Sequence, residues 1–324
     1  MGLPIEVARE YIDKFPKLPN RTLARKLREE NKALYSSIEA ARGVIRVAKG
    51  ANGNQHREHI APSHFTREAF EKRFKFAEGE VNNYLPFVLK SKKAVILNDL
   101  HIPYHNKNAI VKALAFAHEH EVDTIILNGD VIDCYQLSSF VKDPRARKFA
   151  DEIADCKIFL SELRDNFPDV QIIYKEGNHE ERFKKYLKTH APIIFDDIEY
   201  RLDVKLELAS KRITWIDNKK PIHMGRLTIL HGHEYRGGGG VNSARWLFLR
   251  TFGNAVCGHF HTVSQHIDKD IRQKPIGTWS MGCMCDLNPD YMPLNKWQLG
   301  FGYVKILDNK GNFRFQNIDL EDYE

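Results

Sequence analysis

Ala94-Val95-Ile96-Leu97-Asn98-Asp99-Leu100-His101 is an apolar run that stops on Asp-x-His. Its length and its β-branched content predict a short buried strand. If the strand spacing continues, Asp99 and His101 project to the same side at the carboxyl end, which begins a metal site. Four later segments supply what such a site lacks, and each again follows an apolar run. They are Gly129-Asp130, Gly177-Asn178-His179-Glu180, His231-Gly232-His233 and Gly258-His259-Phe260-His261. In open α/β sheets ligands gather at the carboxyl ends of strands, so the five segments can converge on one rim. Histidine, aspartate and asparagine donors suit Mn, Fe, Zn or Ni better than Ca.

Taken in order, these segments resemble the calcineurin-like metallophosphoesterase family, whose pattern is D-x-H, G-D, G-N-H-D/E, H and G-H-x-H. Every element is present across residues 99 to 261, and the resemblance covers most of the chain beyond about residue 92. It implies two divalent metal ions (Mn, Fe, Zn or Ni) and hydrolysis of phosphate esters by in-line attack of a metal-bridging hydroxide. It further implies Asp99, His101 and His261 on the first metal, Asn178, His231 and His259 on the second, and Asp130 between them. His231 is preferred to His233 because it directly follows its strand. His179 is implied as the histidine near the leaving group, with Glu180 beside it to orient the ring. The glycines before Asp130, Asn178 and His259 permit tight turns out of the strands.

No Ser/His/Asp order or phosphate-cradling G-x-x-x-x-G-K-S/T motif competes with this chemistry. Arg182 is a candidate for a substrate phosphate. Asp133 and His105 are candidates for supporting the ligands. The Gly237 to Gly240 run could form a loop over the site.

From Lys93 onward strand and helix patterns alternate, and the chain closes with several short strands around Gly277, Gly282, Gly302 and Gly311. That order predicts an α/β fold with a layered β-sandwich core flanked by helices. At 324 residues the chain has room for two domains. No apolar run approaches the roughly 20 residues of a membrane span, and the first residues lack a signal pattern, so the expectation is a cytoplasmic protein. Five scattered cysteines fit a reducing compartment, and Cys283-Met284-Cys285 is expected as a pair of buried strand thiols.

The net charge of +6 lies entirely in residues 1 to 90, which hold 17 Lys and Arg against 11 Asp and Glu; the remainder balances at 32 of each. Three short helices are expected there. Asn20 is the expected N-cap of the second, and Ser36-Ser37-Ile38-Glu39 is a capping box for the third. On the third helix Arg42, Arg46 and Lys49 make a basic stripe opposite Ile38, Ala41 and Ile45. Together they resemble a helix-turn-helix module. The expected organisation is a DNA-binding domain at residues 1–50, a connector at 51–91 and a dimetal phosphoesterase at 92–324. A DNA partner and phosphodiester cleavage in DNA, as by a nuclease, follow from joining the two. A phosphoprotein or nucleotide phosphatase or phosphodiesterase, and a non-catalytic DNA-binding regulator, stand as the alternatives.

Overall fold

The computed structural model describes residues 3–51, 67, 71, 77, 79–80, 84–143, 145 and 147–321. The chain divides into two compact units, Met1–Asn82 and Asn83–Glu324. Most of the first part of the expected connector, over 52–83, lies outside the described residues.

The first unit contains α1 (Pro4–Lys14), α2 (Asn20–Glu30) and α3 (Ile38–Ala48). Ala8, Leu23, Ala24, Leu27, Tyr35, Ala41 and Ile45 form its core. Burying each of its large aliphatic side chains contributes about 1.5–3 kcal/mol. Two caps differ from expectation. Pro19 is the residue before α2, and Asn20 is already helical, its side-chain oxygen accepting from Lys49 Nζ at 2.6 Å. The N-cap of α3 is Ser37, whose Oγ accepts from Ala40 N at 3.0 Å. Glu39 is therefore only the second helical residue, too early to close a box on Ser36.

The second unit runs β1 (Phe87–Leu89), β2 (Lys93–Leu97), α4 (Lys107–Glu119), β3 (Thr124–Asn128), α5 (Phe149–Asn166), β4 (Gln171–Lys175), α6 (Asn178–His190), α7 (Leu202–Lys205) and β5 (Ile213–Ile216). It continues through β6 (Ile222–Met224), β7 (Leu227–Ile229), α8 (Ser243–Thr251), β8 (Ala255–Cys257), β9 (Ser264–Lys269), β10 (Pro275–Ser280), β11 (Gly300–Ile306) and β12 (Phe313–Asp319). Among the described residues two six-stranded sheets result, in the orders β12-β11-β2-β3-β4-β5 and β1-β6-β7-β8-β10-β9. Strands β2 to β5 are mutually parallel, whereas β11 and β12 close that sheet antiparallel. Part of the expected connector belongs to this unit, because Phe87–Leu89 pairs with β6 at a sheet edge.

The apolar runs are continuous because both faces of the first sheet are covered. Ala94, Ile96, Ile126 and Ile173 pack against Leu227, Ile229 and Val256 of the other sheet. The alternate residues Val95, Leu97, Ile125, Leu127, Ile172 and Tyr174 lie with Ile110, Ala113, Leu160 and Phe183 of the flanking helices. The sandwich leaves the carboxyl ends of β2, β3, β4, β7 and β8 at one rim. Among the described residues no helix is long and apolar enough to cross a membrane.

Candidate metal centre

At that rim backbone bonds join neighbouring strand ends within each sheet, and two asparagine side chains tie the sheets to each other. Asp99 N donates to Gly129 O, His101 N to Asp130 O, and Gly258 N to His231 O, at 2.9–3.1 Å. Asn98 Nδ2 donates to Gly282 O (2.7 Å) and Asn128 Nδ2 to Leu230 O (2.8 Å). Asp99 and His101 both reach His261, but not by strand alternation. Both lie beyond β2 with left-handed backbones, as do Asp130, His259 and His261. A left-handed conformation costs a side-chain-bearing residue about 1–2 kcal/mol, so five at one rim mark a strained, functional turn set.

The side chains expected as ligands are brought together. His231 Nε2 lies 3.2 Å from Asp130 Oδ2 and 3.1 Å from Asn178 Oδ1. Asp130 Oδ2 is also 3.7 Å from His179 Nε2 and 4.0 Å from His101 Nε2, a position between groups. Asp99 Oδ1 is 3.4 Å from His261 Nε2, which is itself 3.4 Å from His101 Nε2. Among the described residues three sets have ligand atoms mutually close enough for one ion: Asp130 with His231 and His259, His101 with Asp130 and His179, and His101 with His261 and Cys285. His233 turns away, its Nε2 3.1 Å from Glu181 Oε1.

The surroundings prepare these groups for a cation. His231 donates from Nδ1 to the Asn128 carbonyl at 2.7 Å, leaving Nε2 facing the cluster. Asp99 Oδ2 accepts from His259 N at 2.8 Å, whereas Asp99 Oδ1 is buried without a hydrogen-bond partner. Such an orphaned carboxylate oxygen between imidazoles fits an ion as its partner. Burial works against the charge of Asp99, but His261 and His231 beside it hold its carboxyl below the usual range. Asp130 is held down likewise by His179 and His231. Burial lowers His231 and Asp130 outweighs it, pushing the imidazole up to about 10, so this pocket attracts positive charge. Burial, then the neighbouring His231, push His259 down to about 4, leaving it neutral and able to ligate. Oxygen and imidazole donors in this setting fit divalent transition ions.

Glu180 does not orient His179. Its carboxylate lies under the loop after β3 and accepts from Asp130 N (2.9 Å), Val131 N (2.8 Å), Gly177 N (2.8 Å) and the Tyr174 hydroxyl (2.8 Å). The reason is that Gly177-Asn178-His179-Glu180 opens α6, so Glu180 projects back over the helix start while His179 projects outward. Asp133 takes the orienting role instead. His179 Nδ1 donates to the Asp133 carbonyl at 2.8 Å, and its ring reaches Asp133 Oδ1 at 3.0 Å. Arg182, also on α6, donates from Nη2 to His179 Nε2 (2.9 Å) and from Nη1 to the Asp133 carbonyl (2.9 Å).

Sequence reasoning passed over two further groups. Lys175 and Glu234 form a buried ion pair at 2.8 Å, and Glu234 accepts from His231 N at 2.9 Å. No pattern signals that pair, since its members are 59 positions apart. Cys285 is buried as expected, but it lies in the segment after β10 rather than on a strand, with Sγ 3.9 Å from His261 Nδ1. His105 is half-buried, and its backbone forms an isolated β-bridge with Cys285.

The chain belongs to the calcineurin-like phosphoesterase family: residues 92–266, more than half its length, match the family model. It is accordingly a hydrolase acting on phosphate esters. The Gene 54 protein of Mycobacterium phage D29 is 24% identical over 235 residues, covering 68% of this chain and 91% of its own length. Its counterpart from Mycobacterium phage L5 is 23% identical over 232 residues, covering 67% and 89%. Among solved structures, the E. coli phosphoesterase YfcE aligns with 70% of this chain and 99% of its own at 14% identity and a TM-score of 0.30. A dimetal phosphatase from Danio rerio aligns with 66% and 92% at 12% identity and a TM-score of 0.33.

Proposed function

We propose that this phosphoesterase cleaves phosphodiester bonds in DNA, and that the helical unit supplies DNA binding. The observation that carries the reading is the outward face of α3. Arg46 is exposed and Arg42 partly so on a helix whose opposite face is locked into the core by Ala41 and Ile45, and exposed Lys49 caps its end. A packed three-helix unit presenting cations from its last helix is suited to a phosphate backbone.

Asp99, His101 and His261 would hold one ion and Asn178, His231 and His259 another, with Asp130 between. Two divalent ions there would supply Lewis acidity and water activated near neutral pH. The remaining work falls to the chain's own residues. Asp133 fixes the His179 ring with its Nδ1 proton, which leaves Nε2 as the atom that exchanges a proton with the leaving oxygen. Arg182 covers that Nε2 in the free protein. On binding, its guanidinium transfers to the non-bridging oxygens of the substrate phosphate, which uncovers the imidazole.

The test uses the full chain with added Mn on bis-p-nitrophenyl phosphate, p-nitrophenyl phosphate, and single- and double-stranded DNA. DNA cleavage should be lost in His179→Ala and Asp130→Asn. With Arg42, Arg46 and Lys49 all changed to Ala, DNA affinity should fall and the slope of log affinity against log salt should flatten by about 0.7–0.9 per lost contact. Turnover of the diester should survive that triple change. Hydrolysis of the small esters with DNA left intact would sink the DNA substrate. DNA binding without turnover of any ester would favour the regulator.

A further inference from the structure

The segment between β10 and β11 folds back across the metal rim and is fixed on both sides. Met284 N donates to Asp99 O at 3.1 Å, Asn106 N to Met284 O at 2.8 Å, and Asp286 N to Tyr104 O at 2.8 Å. Farther along, Cys283 N donates to Gln298 O and Gln298 N to His261 O, each at 2.8 Å. Cys285 is thus held between the turn carrying Asp99 and His101 and the loop carrying His261. Its thiol is buried, 3.9 Å from His261 Nδ1. That sulfur and one nitrogen from each of His101 and His261 all lie within 4.8 Å of one another. A second observation points at a cation beside the same histidine: buried Asp99 Oδ1 has no hydrogen-bond partner and sits 3.4 Å from His261 Nε2.

The Cys283 thiol gives Cys285 a hydrogen-bonding neighbour, but that contact does not account for the closeness of its sulfur to two imidazoles. We propose that Cys285 is a ligand of the ion held by Asp99, His101 and His261. It binds as the thiolate after releasing its proton to solvent, and it biases that position toward zinc and other thiophilic ions over manganese. The proposal rests on the metal-centre reading above. Cys283, whose Sγ lies 3.5 Å from the Gln298 carbonyl oxygen, neighbours the Cys285 thiol but belongs to none of the sets close enough for one ion among the described residues, and serves as the internal control.

The experiment loads the full-length protein with Co(II), measures bound cobalt by elemental analysis, and records the near-ultraviolet sulfur-to-cobalt charge-transfer band. The band is expected in the wild type and in Cys283→Ser. It should be lost in Cys285→Ser and Cys285→Ala, and zinc affinity relative to manganese should fall about tenfold or more in both. If substitution at Cys285 prevents folding, cadmium-113 resonances of the wild type decide: a thiolate-shifted signal supports the ligand, and only nitrogen- and oxygen-type shifts overturn it. Bound cobalt without the band in the wild type overturns the proposal and leaves the metal centre standing. So does a band that survives in Cys285→Ser. Failure to bind any cobalt, zinc or manganese overturns the metal centre itself, and the proposal with it.

Discussion

Asp133 holds His179 by two of its oxygens at once: the backbone carbonyl is 2.8 Å and Oδ1 3.0 Å from the same Nδ1. The same Oδ1 accepts from His101 Nδ1 at 2.8 Å, so one side chain sets the orientation of a metal ligand and of the histidine facing the leaving group. His179→Ala should lower kcat on a diester by about 100- to 10,000-fold, less for esters whose leaving group needs no proton. Asp133→Asn should cost about 10- to 100-fold and should weaken metal binding as well, since a neutral amide oxygen is a weaker acceptor for the His101 ring than a carboxylate. A kcat loss in Asp133→Asn with unchanged metal affinity would show that its contact with His101 is incidental.

Two glycine-to-alanine changes should act in opposite directions. A methyl group at Gly177 would fall on Asp130 Oδ1 and lie 2.9 Å from Glu180 Oε2. Gly177→Ala should therefore displace Asp130 and abolish both metal uptake and turnover. Gly43, in the middle of α3, has nothing within 4 Å of that position. Gly43→Ala should raise the stability of the helical unit by about 1 kcal/mol, measured by thermal unfolding, without change in ester hydrolysis.

Glu180 is a keystone of the rim rather than a participant in proton transfer. Its carboxylate satisfies several buried N–H groups of the loop carrying Asp130, and each such donor left unpaired costs about 1–3 kcal/mol. Glu180→Ala should cost at least about 3 kcal/mol in urea unfolding, or prevent folding. Glu180→Gln keeps an acceptor oxygen and should be much milder. Equal stabilities for Ala and Gln would refute this role.

Glu152, fully buried on α5, accepts from Tyr135 N at 3.2 Å beneath the Asp133 turn. Burial, then the charge of Asp133, pushes its carboxyl up to about 8. The folded state therefore holds this proton more tightly than the unfolded chain does, where the group titrates near 4.3. Its contribution to stability is fully present below that unfolded value and is lost as pH rises toward 8. Glu152→Gln, which copies the protonated acid, should gain stability over the wild type progressively from about pH 5 to pH 8 and hold that gain above it. Parallel unfolding curves for the two proteins across that range would contradict the assignment.

Much of this protein can be read from its sequence because its information is local. Apolar runs buried on both faces specify β2, β3 and β4, and ligands that follow such runs announce a rim before any coordinate is known. The short strands β1, at the sheet edge, and β6 beside it, at Phe87–Leu89 and Ile222–Met224, are not legible in this way. Three residues carry too little periodicity, and pairing with each other and with β7 decides their conformation.

What the chain by itself determined is the inventory: the ligand types, their order and the strands that deliver them. What only the tertiary structure decided is the direction in which each side chain points. Left-handed turns at Asp99, His101 and Asp130, and a helix that begins at Asn178, turn Glu180 inward and give His179 to Asp133. The same folding sets Cys285 beside His261, 24 positions away. Such outcomes depend on hydrogen bonds made within and between the two sheets, and a sequence records the partners of those bonds only through the fold that joins them.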